Sequence, residues 1–230
     1  MNLLAVDAAA SVLSVAVSRG EEILRAQTEA GMKHSELVMN LIDELMKKAG
    51  LDPADLEGVL CMGGPGSFTG LRIGYSIAKG LALSLSIPFA PVPTLECIAF
   101  ARRDCGLIVP VIEARKNAFF YAVFRRTERL MPDADAAAGE IAETIYKKTG
   151  ENEKITLTGP GAAALFALLP EKIKNALVLD GEKRGYAEEL ISIAKIKEIF
   201  HNDNTAFLYS GPEYIRKTDA ELSLLENVGS

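Results

Sequence analysis

The residues with the clearest chemical potential lie in the run GGPGSFTGLRIG, Gly63 to Gly74. Gly63, Gly64 and Gly66 follow an apolar run, Pro65 fixes one φ among flexible neighbours, and Ser67 or Thr69 stands where a helix needs its cap. Such a strand–loop–helix junction aims backbone N–H groups and the positive helix end at one point, which suits an anion. It has no Lys-Ser/Thr pair after the glycines, and its spacing is one residue too long for G-x-G-x-x-G. Thr158-Gly159-Pro160-Gly161 repeats the theme of strand, glycine turn and helix. Asp7 ends the first apolar run, where a carboxylate can hold a metal–phosphate complex or accept nearby backbone N–H groups as a turn former. Position alone favours the second role. The nucleotide-binding candidates are thus Asp7, Gly64, Gly66, Ser67, Gly159 and Gly161.

Other chemistry is thinly represented. The two histidines, His34 and His201, form no H-x-x-x-H pair and have no cysteine beside them, so no zinc or iron site is expected. His34 next to Ser35 gives sequence adjacency without the geometry of a triad, and a polar role at a helix start is the stronger reading. Glu113-Ala114-Arg115 follows an apolar strand and reads as an inter-lobe ion pair ahead of a substrate contact. Cys61, Cys97 and Cys105 make no C-x-x-C pair and read as small apolar residues. No catalytic residue and no metal ligand set is expected.

The elements that must position these groups read clearly in the first third. Leu3 to Val6, Leu13 to Val17 and Glu22 to Thr28 are extended runs with short connections, which implies an antiparallel meander. Leu37, Val38, Leu41, Ile42, Leu45 and Met46 recur at helical spacing before Gly50. Val59 to Met62 is the next strand, Leu71 to Leu85 the next helix, Ile87 to Val92 a strand and Leu95 to Arg102 a helix. The order β-β-β-α-β-α-β-α requires a mixed sheet covered by helices, an α/β protein. Around Gly106 the pattern restarts, with strands at Leu107 to Ile112 and Ala118 to Arg126. Weaker signals follow: a helix at Ala138 to Lys148, a strand at Ile155 to Thr158, a helix from Ala162, a strand at Leu177 to Leu179 and a helix at Ala187 to Phe200. The expected division is a first lobe at 1–105, a smaller second lobe at 106–216 and a frayed polar tail at 217–230.

Within the helix after the glycine loop, Gly70, Gly74, Ala78 and Ala82 recur every four residues as a ridge without bulk, which lets another backbone approach closely. Ser76, Gly80 and Ser84 leave a second thin face. Thin faces on two sides predict contacts on both, so the ridge Gly70, Gly74 and Ala78 is expected at an interface. The stripe Leu37, Leu41 and Leu45 of the preceding helix is the companion candidate.

Composition narrows the partners. Lys and Arg number 25 against 31 Asp and Glu, a formal charge of −6. Nucleic acid as an unaided ligand needs clustered cations, and the densest basic patches here are pairs such as Arg102-Arg103 and Arg125-Arg126. The first residues, MNLLAVDAAAS, carry no basic stretch ahead of the apolar one, and the most apolar helix holds Arg72 and Lys79. The expectation is a soluble, cytoplasmic protein without a membrane segment.

With these residues in hand, the chain resembles the TsaB (YeaZ) family, bacterial partners of TsaD in making the threonylcarbamoyl modification of tRNA adenosine. The carrying segments are LLAVDAA, KHSELVMNLIDELM and MGGPGSFTGLRIGYSIAKGLA, with VIEARKNAFFYA, TGPGA and PEYIR in support. The resemblance implies an actin-like, sugar-kinase-like (ASKHA) fold of two lobes, the second shortened. It also implies a non-catalytic subunit that dimerises with TsaD, recruits the ATPase TsaE, forms a homodimer in isolation and meets tRNA only through the complex. Pairing in that family uses the helices corresponding to His34–Lys48 and Gly70–Ser86. No cofactor is implied for the chain itself, with ATP or ADP held at the level of the complex. Two departures weigh against nucleotide turnover: Ala8, Ala9 and Ala10 stand where relatives carry hydroxyl or acidic residues, and Glu113 stands for the family's Asp. The alternatives are a stand-alone ATPase or kinase using Asp7 and the two glycine turns, or, further off, a metalloprotease-type "glycoprotease", for which no nucleophile–base pair is visible.

Overall fold

The computed structural model describes residues 1–31, 33–114, 117–148, 153–201, 209–213 and 215. The meander forms as expected: β1 (Leu3–Asp7), β2 (Val12–Arg19) and β3 (Glu22–Glu29) pair antiparallel in sequence. After α1 (His34–Ala49) comes β4 (Gly58–Met62), and after α2 (Phe68–Leu85) comes β5 (Phe89–Val92), each parallel to the strand it joins. The sheet order is β3-β2-β1-β4-β5. Next comes α3 (Thr94–Phe100).

The second half repeats this plan. Strands β6 (Leu107–Glu113), β7 (Ala118–Arg125) and β8 (Glu128–Ala137) form an antiparallel meander. Helix α4 (Ala138–Lys148) leads to β9 (Ile155–Thr158), and α5 (Ala162–Leu168) and α6 (Glu171–Lys174) lead to β10 (Leu177–Leu179). The order β10-β9-β6-β7-β8 mirrors the first sheet strand for strand, with β9 and β10 parallel. Helix α7 (Ala187–Ile196) closes the plan, with a short 3-10 turn at Ile199–His201. The restart at Gly106 is therefore a restart of architecture.

Two elements escape the sequence reading. Strand β8 carries Pro132, Asp133 and Asp135, which strands disfavour, so the sequence marks no element there; it lies at a sheet edge, where a missing N–H is tolerated. The one-turn α6 is too short for a periodic signal. Helix α7 ends at Ile196, short of the expected Phe200. The tail at 217–230 and Arg115 lie outside the described residues.

Alternation along the strands sorts three apolar layers. Leu4, Val6, Val15, Val59 and Cys61 face outward beneath α1 and α2. Leu3, Ala5, Ala16, Leu60 and Val92 face inward onto α3 and α7, which also meet Ile108, Ile112, Ala122 and Phe124 of the second sheet. Leu107, Val109, Val111 and Val123 face away beneath α4 and α5. The central layer is exchanged between halves: α3 packs on β6, and α7 packs on β1 and β2. Among the described residues, no helix is long and apolar enough to cross a membrane.

Candidate functional site

The inward parity of β1 puts Asp7 beneath the start of α7. Asp7 is 2% exposed; one carboxylate oxygen accepts the Ala9 N–H at 3.0 Å and the other the Tyr186 N–H at 2.8 Å. Its cross-strand partner Ser14 accepts the Ala187 N–H at 3.1 Å, and Ser14's partner Gln27 accepts the Gly185 N–H at 3.0 Å. One row of three polar side chains across β1, β2 and β3 thus caps the N-terminus of α7, whose first N–H groups have no intrahelical acceptors. Gly185 is required there, because a Cβ would overlap Ser14. Beyond the cap, Arg184 pairs with Glu189 and Arg25 with Glu188 at 2.7 Å, which holds α7 on its sheet.

Burial pushes the Asp7 carboxyl above its ordinary value of 3.8, against the pull of the two N–H donors and of His34. The folded chain therefore binds this proton more tightly than the unfolded one, and the contribution to stability falls as pH rises from about 4 through the folded value. We expect urea midpoints of the natural chain, measured against Asp7→Asn, to lose ground steadily from about pH 4 upward, and a flat difference would contradict this assignment. Asp7→Ala leaves two buried N–H groups unpaired and should cost about 2–4 kcal/mol at neutral pH.

The glycine loop closes against the β1–β2 turn. The Ser67 N–H donates to the Ala9 carbonyl at 2.8 Å, and the Ser67 side chain accepts the Gly70 N–H at 3.3 Å as the cap of α2. A Cβ at Gly66 would lie 2.8 Å from the Ala9 oxygen, and one at Gly70 would overlap the Ala8 oxygen. Ala8 and Ala9 are thus the counterpart of the glycines: both sides are thin so that helix and turn can touch. Gly64 has φ +111°, donates to Thr94 Oγ1 at 3.2 Å and faces the backbone of Glu213, whose N–H donates to the Gly63 carbonyl at 2.8 Å. Gly159 (φ +101°) and Gly161 approach the backbone of Val111 to Glu113 in the same manner. Asp7, Gly66 and Ser67 come together around the β1–β2 turn, while Gly159 and Gly161 sit on the second sheet.

His34 is buried at the start of α1 with Nε2 2.9 Å from the Ala10 carbonyl, so the polar helix-start role stands. Glu113 ends β6 exposed. Among the described residues, no group of three or more His, Cys, Asp or Glu side chains is arranged to hold a metal.

The helix ridge requires a correction. Gly70, Gly74, Ala78 and Ala82 are buried on the chain's own core: Gly70 on Ala8, Gly74 above Cys61, Ala78 and Ala82 among the outward residues of the first sheet. Leu45 is buried in the same layer, and Leu37 and Leu41 are half-buried against it. The ridge is thin because the helix must lie close to the sheet. What faces solvent is the second thin stripe, Ser76, Gly80 and Ser84, with half-buried Ile73 and Ile77 beside it and Met39 of α1 48% exposed. Sequence reasoning missed Ser14, Gln27 and Tyr186, which no local pattern marks.

The family model for TsaD, tRNA N6-adenosine threonylcarbamoyltransferase, matches residues 22–223. The tRNA threonylcarbamoyladenosine biosynthesis protein TsaB of Bacillus subtilis (strain 168) is 26% identical over 235 residues, covering 99% of each chain. The protein of that name from Escherichia coli (strain K12) is 29% identical over 158 residues, 67% of this chain and 66% of the relative. The solved structure of YeaZ from Pseudomonas aeruginosa superposes with a TM-score of 0.77 at 20% identity, over 93% of this chain and 99% of that one, a likeness of fold. A family model that matches most of the chain and a TsaB relative aligned along 99% of it lead to one conclusion: the chain belongs to the TsaD family, on its TsaB (YeaZ) branch.

Proposed function

We propose that the chain is a non-catalytic subunit of the assembly that makes threonylcarbamoyladenosine in tRNA, where it pairs with a TsaD-type transferase and helps to seat the ATPase TsaE. The observation that carries this reading is the state of Asp7, buried with both oxygens held by backbone N–H groups. An acid so engaged is not free to receive a metal-bound nucleotide, which leaves phosphate chemistry to the partners. Pairing uses the solvent face of α1 and α2 around Met39, Ile73, Ile77 and Gly80, and the same face joins two copies when the chain is alone. At a formal charge of −6 the chain meets tRNA through the complex, in the cytoplasm.

Reconstitution tests the reading. With TsaD, TsaE, tRNA and threonylcarbamoyl-adenylate supplied, leaving this chain out should cut modification by at least about tenfold, and undiminished modification would sink the idea. Calorimetry with ATP and magnesium addresses the stand-alone ATPase, since binding with turnover by this chain alone would reverse the assignment.

A further inference from the structure

Helix α3 begins at the glycine loop and α7 at the Asp7 row, so their far ends lie roughly 10–15 Å away along the central layer. Between those ends and the β7–β8 turn is a cavity of about 240 Å³. Its apolar lining comes from Phe100, Phe124, Ile193 and Ile196, the last 69% exposed. Its rim holds Arg103, Arg126 and Lys197 against one acid, Glu96. Glu96 is already bound to Lys197 at 2.5 Å. Arg103 lies 4.4 Å over the Phe100 ring and donates to the Phe100 carbonyl at 3.2 Å, so it is anchored with its charge at the mouth. Arg126 occupies the β7–β8 turn at φ +56°, its backbone N–H donating to Gly106 at 3.0 Å and its side chain exposed, without an ion-pair partner among the described residues.

A cationic rim on a chain of net charge −6 selects for an anionic visitor. The volume falls below the roughly 300–1,000 Å³ of cofactor sites and matches one large side chain with adjoining backbone. We propose that this cavity docks a short acidic segment of a partner protein, which inserts one large apolar side chain between Phe100 and Ile193 while flanking carboxylates meet Arg126 and Arg103. The site lies in the central layer, clear of α1 and α2 outside the first sheet, so both surfaces can be occupied together.

The test uses the full chain and a fluorescein-labelled peptide, Asp-Glu-Leu-Phe-Glu-Asp, followed by polarisation and isoleucine methyl NMR. Saturable binding tighter than ~1 mM is expected, with shifts at Ile193 and Ile196 and weakening as salt rises from about 0.05 to about 0.5 M. Arg126→Gly suits the positive φ, keeps the fold and should weaken binding at least tenfold; Ile196→Asp, at an exposed position, should do the same. Equal binding of a peptide with lysines in place of the acids, unchanged affinity in Arg126→Gly, or no binding at about 1 mM overturns the proposal.

Discussion

Gly80→Leu should leave the chain folded and weaken the pairing with a TsaD-type subunit proposed above. Gly80 lies on the solvent side of α2, and a Cβ there meets nothing within 4 Å. Removing a glycine from an exposed helix interior gains about 0.8 kcal/mol, so the melting temperature should hold or rise. A leucine on the thin stripe Ser76–Gly80–Ser84 would nevertheless hold a partner helix away by the width of a side chain. Affinity should fall by at least about 100-fold, equivalent to about 2.7 kcal/mol, read by calorimetry, and tRNA modification should fall with it. Retained pairing would move the interface elsewhere on the chain.

Gly70→Ala should do the reverse and destabilise the fold without touching its outer surface. The added methyl would overlap the Ala8 carbonyl oxygen, a backbone atom of the β1–β2 turn that cannot rotate away. Helix α2 must then lift off the turn, breaking the Ser67 N–H bond to Ala9 and opening the layer that holds Tyr75 and Ala78. A loss of about 4 kcal/mol is expected, toward the upper end for single substitutions. For a chain of this length that lowers the melting temperature by roughly 8–16 °C. If Gly70→Ala melts like the natural chain, the close packing of loop against turn is wrong. Together the two substitutions separate the faces of one helix.

Periodicity along the chain made this helix visible, and with it the meander, the parallel strands and the restart at Gly106. It could not orient α2, because the stripes Gly70–Gly74–Ala78 and Ser76–Gly80–Ser84 are equally thin and the sequence does not say which one meets the sheet. Ala8 and Ala9 decide that, and they touch the helix only after β1 and β4 pair. Asp7 was legible as a strand-end acid and Tyr186 was not legible at all, since their bond joins positions 179 residues apart. Ser14 and Gln27 look like ordinary strand residues until the register of β1, β2 and β3 aligns them in one row. Strand β8 was hidden by Pro132, whose tolerance depends on being at an edge.

The exchange of central helices has a consequence for how the chain is born. The strands of the first sheet are all synthesised once Val92 has left the ribosome, yet the helix that covers their inner face ends at Ile196. At roughly 5–20 residues per second, that lid arrives ~5–20 s later. Throughout that interval Leu3, Ala5, Ala16 and Leu60 are without the α7 side of their cover, and the Asp7 row has nothing to cap. A nascent chain truncated before Tyr186 therefore leaves this inner face half-covered, and completion of the first sheet's core waits for α7.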